Sequence, residues 1–111
     1  MKFSQEAANH WSMPDGIEGW SYGSKEVSPV ASASLITIDG RHSKTKSLVS
    51  DRVFYVLEGE GEFIIGEEAF IAGPTDVLIC PKNTSFECNG KMKYFLVHVP
   101  AYNYDQEVSL E

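Results

Sequence analysis

Arg52–Ile65, RVFYVLEGEGEFII, reads as a strand, a glycine turn and a return strand. Arg52, Phe54 and Val56 alternate with Val53, Tyr55 and Leu57, the period-two pattern of a chain that points side chains to two faces in turn. Glu58–Gly61 supplies the turn and Glu62–Ile65 the return. Downstream, Gly66-Glu67-Glu68 turns into a short strand, Ala69–Ala72, and Gly73-Pro74 leads into Asp76–Cys80. Pro81–Thr84 turns again before Ser85–Cys88. Asn89-Gly90 is a hairpin dipeptide, tolerant of positive φ at both central positions. Met92–Val99, MKYFLVHV, is the most apolar strand, and Pro100 ends it. The polar tail AYNYDQEVSLE suits a short helix or an edge segment.

Upstream, Ser28–Ile38 mixes small and β-branched residues as one or two strands, Asp39-Gly40 is a turn candidate, and Leu48-Val49 is extended. Short strands with frequent turn signals and no long helix predict an all-β sandwich or barrel with antiparallel sheets. Residues 1–24 are the least regular. They contain a turn signal, Pro14-Asp15-Gly16, and the aromatics Trp11, Trp20 and Tyr22. They read as an extended N-terminal arm packing on the body or on a second subunit, with residues 25–111 as the barrel domain.

With 111 residues, nine Lys and Arg against sixteen Asp and Glu, and a net charge of −7, the chain is one acidic domain. Nucleic acid and anionic membrane surfaces reward basic patches, so neither is an expected partner. MKFSQEAANHW has no apolar stretch of the secretory kind, which makes the cytoplasm the expected compartment. Cys80 and Cys88 have no zinc-type spacing and read as reduced, partly buried residues.

The segment FYVLEGEGEF followed by GPTDVLICPKNTSFECNG resembles the small single-domain cupins over roughly residues 30–100. The resemblance implies a double-stranded β-helix, or jelly-roll barrel. The first cupin motif, G-x5-H-x-H-x3-E-x6-G, finds its end glycines at Gly40 and Gly59. The proline of the second motif falls on Pro81 and its glycine on Asn83. The metal-ligand positions are different: the two histidines fall on Lys46 and Leu48, the glutamate on Arg52 and the last histidine on Phe86. None of these is a metal ligand at neutral pH, so neither metal nor other cofactor is expected.

Within the cupin frame, Lys46, Leu48, Arg52, Phe54 and Phe86 would share the barrel interior. Two cations in an apolar cup call for a counter-charge. The functional reading is an anionic small molecule (a carboxylate, phosphate or sugar derivative), gripped by Arg52 with Lys46 adding charge. The plainer reading is a solvated basic loop with Arg52 paired to Asp51, Glu62 or another acid. His98 alternates with Leu96 and Tyr94; if that face is inward, His98 could act as a base and Tyr94 as an acid. If Phe95, Val97 and Val99 face inward, His98 lies on the outside or in a dimer contact and is inert. His10 and His42 read as solvated loop residues.

Three functions follow: a metal-independent small-molecule-binding cupin, with or without catalysis; a metal-dependent cupin dioxygenase, lyase or isomerase whose ligands lie elsewhere; and a degenerate barrel serving dimerisation or protein contact. The resemblance also implies a homodimer, since small cupins commonly pair through their sheets.

Overall fold

The computed structural model describes all 111 residues, Met1–Glu111, and is almost entirely β. Eight strands follow in order: β1 (Asn9–Met13), β2 (Ile17–Tyr22), β3 (Ser32–Ser47), β4 (Asp51–Ile65), β5 (Glu68–Ala72), β6 (Val77–Cys80), β7 (Ser85–Val99) and β8 (Glu107–Ser109). Two 3-10 turns, Gln5–Ala7 and Tyr104–Gln106, are the only helical pieces. All pairings are antiparallel; β1-β2-β3-β7-β4-β5 run side by side, β6 adds to β4 and β8 to β3. This is the all-β cupin jelly roll, with its sheet left open rather than closed. No helix is long and apolar enough to cross a membrane.

Three of the turns expected from the sequence are corners inside long strands. Asp39-Gly40 lies within β3, Glu58–Gly61 within β4 and Asn89-Gly90 within β7. Gly40, Gly90 and Gly61 stand in one row across the three strands. Glycine there bends each strand without reversing it. Gly90 has φ +136°, and a Cβ on it would come within 2.6 Å of the Gly61 Cα. Gly59 has φ +79°, and a Cβ there would collide with the Lys91 carbonyl. Side chains would therefore hold the strands apart at the corner.

The N-terminal arm is a hairpin, β1–β2, turned at Asp15 (φ +69°) and Gly16 (φ +79°) and hydrogen-bonded to β3. Trp11 donates its indole N–H to Ser21 Oγ at 2.8 Å, and Trp20 stacks on His10. His10 is thus an exposed strand residue, not a loop one.

Alternation along β4 holds as the sequence predicts: Arg52, Phe54 and Val56 are buried inward, while Tyr55 and Leu57 are exposed. A one-residue bulge between Val56 and Glu58 then reverses the parity, so that Phe63 faces in. On β7 the inward face is Phe86, Cys88, Met92, Tyr94, Leu96 and His98. The deep interior is aromatic: Phe54 stacks on Phe86 with centroids 4.7 Å apart, and Phe63 and Tyr94 meet it edge-on or tilted.

Candidate functional site

One end of the barrel interior is polar. Row by row across the sheet, Cys80 on β6 pairs with Arg52 on β4, which pairs with His98 on β7. Alternation puts all three inside, with Arg52 3 % and His98 5 % exposed. Below them lies the aromatic floor. Arg52 holds its guanidinium over the Phe86 ring, 5.1 Å from the centroid.

A second bulge completes the site. The β3–β7 register slips by one residue between His42 and Thr45: His42 opposes Cys88 and Thr45 opposes Phe86. Both partners face inward, so His42 and Thr45 do too, although they are three residues apart. Thr45 Oγ1 accepts from Arg52 Nη1 at 3.3 Å. The slip overturns the expectation for this segment. Thr45 and the buried Ser47 take the inward positions, so Lys46 between them is half-exposed and faces away. Leu48 is 38 % exposed and does not line the interior. Of the five residues expected to bind ligand, the structure gathers Arg52, Phe54 and Phe86 and leaves out Lys46 and Leu48.

The proposed acid partner is also misplaced. Tyr94 shares the inward face with His98, but four residues of strand separate them by roughly 13 Å. Its hydroxyl sits in the aromatic floor, 3.9 Å from Cys88 Sγ, and burial pushes its ionisation up. Burial likewise pushes the Cys88 thiol up to about 12, and both cysteines are free and buried. What stands beside His98 is Glu107, on β8 where the tail pairs with β3 at Ser47. His98 Nε2 and Glu107 Oε1 are 3.7 Å apart, beyond hydrogen-bonding distance. The Tyr102 ring meets the His98 ring edge-on at 5.2 Å.

The electrostatics are unusual. No carboxylate lies within 4.0 Å of Arg52. The acids expected to pair with it are engaged elsewhere, Asp51 with the Lys82 N–H and Glu62 with Asn89. Beyond Thr45, its only other acceptor is Cys80 Sγ at 3.8 Å, and its buried Nε has none. Glu107 Oε2 is buried without a donor. Orphaned groups of both signs therefore occur at one end of the barrel, an arrangement that costs several kcal/mol if nothing answers it.

His42 is a partly buried strand residue. Its ring leans on Phe86 with centroids 5.2 Å apart. Nδ1 lies 2.7 Å from the Ser43 carbonyl, which can only accept, so Nδ1 carries the proton and Nε2 keeps its lone pair. Burial, followed by the charge of Arg52, holds the imidazole below its usual range and hence neutral at pH 7.

The residues present do not fit the divalent metal that cupins commonly bind. No three His, Cys, Asp or Glu side chains converge on one point. The nearest donors, His98, Glu107 and His42, share their space with a fixed guanidinium.

His42, Thr45 and Glu107 are site residues that reading the sequence did not find. His42 faces in by simple alternation from Ile36 and Ile38, once RHSKTKS is seen to be strand and not loop. The bulge that turns Thr45 inward has no marker there, and Glu107 reaches the barrel only through tail pairing.

No protein-family model and no curated protein matches this chain. Solved structures do. The Streptomyces nucleoside dehydratase Pac13 matches with a TM-score of 0.91 at 28% identity, covering 100% of this chain and 91% of that one. A histidine-to-glutamine variant of Pac13, solved with uridine, matches with a TM-score of 0.89 at 28% identity, covering 99% of this chain and 90% of that one. KdgF from Halomonas sp. matches at 0.79 and 16% identity, covering 95% of this chain and 96% of that one. Oxalate decarboxylase from Bacillus subtilis matches at 0.84 and 15% identity, with 99% of this chain covering 32% of that one. The last two carry the fold alone.

Proposed function

We propose that this protein is a metal-independent cupin that binds a small anionic molecule at the polar end of its barrel. The observation that carries this reading is Arg52: a buried guanidinium with no carboxylate partner and a free Nε–H. A ligand carboxylate or phosphate would supply the missing charge and accept from Nε and Nη together. The likeness to a nucleoside dehydratase that has been seen with uridine favours a ribosyl or similar sugar-derived ligand.

The same likeness supports acid–base chemistry on that ligand, with His42 Nε2 as base. In a dehydration, Nε2 would take the proton from a carbon next to a carbonyl. The C–H electron pair would become the new double bond, and the β-hydroxyl would leave as water with the proton that Nε2 had taken. No redox partner is needed.

Thermal unfolding against uridine, uridine 5′-monophosphate, glucuronate and inorganic phosphate tests the binding. At least one anion should raise Tm for the native chain and none for Arg52→Met. A panel that never moves Tm defeats the proposal, and stoichiometric transition metal in the purified protein would defeat its metal-independent part.

We also propose a homodimer, on a separate observation. The outer face of the sheet carries two apolar rows across five strands: Val77-Tyr55-Phe95-Leu35-Trp20 and Ile79-Val53-Val97-Ala33-Tyr22. The adjoining row, Glu18-Thr37-Lys93-Glu58, is mostly charged. An apolar centre with a polar rim suits contact with another protein surface. The two rows themselves carry no charged side chain, so a second copy of the chain can bring its own rows against them. Ile79→Lys, on the exposed edge of the face, should convert a dimer into a monomer by light scattering; a native monomer removes the idea.

A further inference from the structure

Arg52 accounts for only half of what is unsatisfied at the polar end. Glu107 is the other half, and it sits close by. Arg52 donates to Thr45 on β3, while Glu107 pairs with Ser47 two residues further along the same strand. Two residues of strand span roughly 7 Å, the reach of one small molecule. His98 belongs to both: it opposes Arg52 across the sheet and faces Glu107 across a 3.7 Å gap.

Those orphans specify chemistry. The buried Glu107 Oε2 needs a donor, and the separation of Glu107 Oε1 from His98 Nε2 is too long for a direct bond. A ligand hydroxyl beside this pair could donate to Glu107 Oε2 while its oxygen stays free to accept, which a carboxylate or phosphate group cannot do. An ammonium would satisfy Glu107 but would stand close to the Arg52 guanidinium, where like charge disfavours it.

We infer that the ligand is a hydroxylated anion, its anionic group received by Arg52 and a hydroxyl received by the Glu107–His98 pair. This rests on the anion-binding reading above and narrows it. Simple carboxylates and uncharged sugars each satisfy only one of the two orphans. A sugar acid and a sugar phosphate satisfy both, and they differ only in the group that Arg52 grips.

Calorimetric titration separates the cases. The probes are glucuronate, ribose 5-phosphate, cyclohexanecarboxylate (charge without hydroxyls) and methyl glucoside (hydroxyls without charge), on the native chain, Arg52→Met and Glu107→Gln. One of the two hydroxylated anions should bind at least tenfold more tightly than both single-function probes, and which one identifies the anionic group. Glu107→Gln should lower that affinity at least tenfold while leaving cyclohexanecarboxylate binding unchanged, a control that also shows the variant is folded. If cyclohexanecarboxylate binds the native chain as tightly as either hydroxylated anion, and Arg52→Met abolishes all of it, anion binding stands and the hydroxyl requirement falls. The hydroxyl requirement also falls if Glu107→Gln weakens every probe equally. If no anion binds the native chain, both readings fall together.

Discussion

Arg52→Met should make the free protein more stable while removing its ligand binding. Arg52 is 3 % exposed and lacks any carboxylate within 4.0 Å. What it gives back is small: one 3.3 Å bond to Thr45, a long contact to Cys80 Sγ and a position over Phe86. A hydrogen bond of this kind contributes about 1 kcal/mol, and the cation–π contact about another. Against these stands the desolvation of a full charge, several kcal/mol after relaxation. Methionine keeps most of the volume, adapts to the gap and favours aromatic neighbours such as Phe86. The balance is a gain of about 1–3 kcal/mol, which for a domain of this length is a rise in Tm of roughly 4–12 °C. Calorimetric unfolding in a buffer free of phosphate and carboxylate reads it directly. A fall in Tm of several degrees would refute the reasoning, since it would mean that the guanidinium is part of the framework.

Other consequences are as specific. Gly90→Ala should cost at least about 2 kcal/mol, because it strains φ and drives a Cβ toward Gly61; Gly66→Asn, at a turn where the nearest atom is 3.6 Å away, should cost well under that. Chemical denaturation of the two variants makes the comparison. His42 is held below its usual range by burial, so the unfolded chain binds the proton first as pH falls. The native chain should therefore lose stability relative to His42→Gln as pH drops through the usual imidazole range, as urea melts at several pH values would show. On the surface, Arg41 donates to both Glu87 and Glu111, and hydrogen bonds from Arg41 and the Lys44 N–H lower the Glu111 carboxyl to about 2. Its folded value is depressed, so this tether is complete above the usual glutamate range and is lost as pH falls through about 2. Carboxyl NMR should show that late titration in the native chain and an ordinary one in Arg41→Gln.

The sequence made the fold legible because alternation survives wherever strands are regular. Arg52-Phe54-Val56 facing in and Tyr55-Leu57 facing out needed only the period of two. Glycine was harder to read. Asp39-Gly40, Glu58–Gly61 and Asn89-Gly90 carry turn chemistry, yet each bends a strand at a corner. Whether a positive-φ glycine reverses the chain or creases it depends on partners far away in sequence. The site was legible only in part, and for a related reason. One inserted residue on β3 moves the inward positions from Lys46 and Leu48 to Thr45 and Ser47, while His42, ahead of it, keeps the parity of Ile36 and Ile38. A bulge of one residue leaves composition and spacing untouched while exchanging every side chain beyond it. Glu107 was hidden differently, in a polar tail whose place is set by pairing with β3.

The central claim is that Arg52 is held ready for an anion, and the Nε–H of Arg52 reports on it most directly. In the free protein that N–H is buried and has no acceptor. Its proton–nitrogen resonance, assigned by its loss in Arg52→Met, should shift downfield and saturate when glucuronate, ribose 5-phosphate or uridine 5′-monophosphate is added at millimolar concentration. If none of these anions, nor inorganic phosphate, moves the resonance, the polar end of the barrel is not an anion site and the proposed function is contradicted.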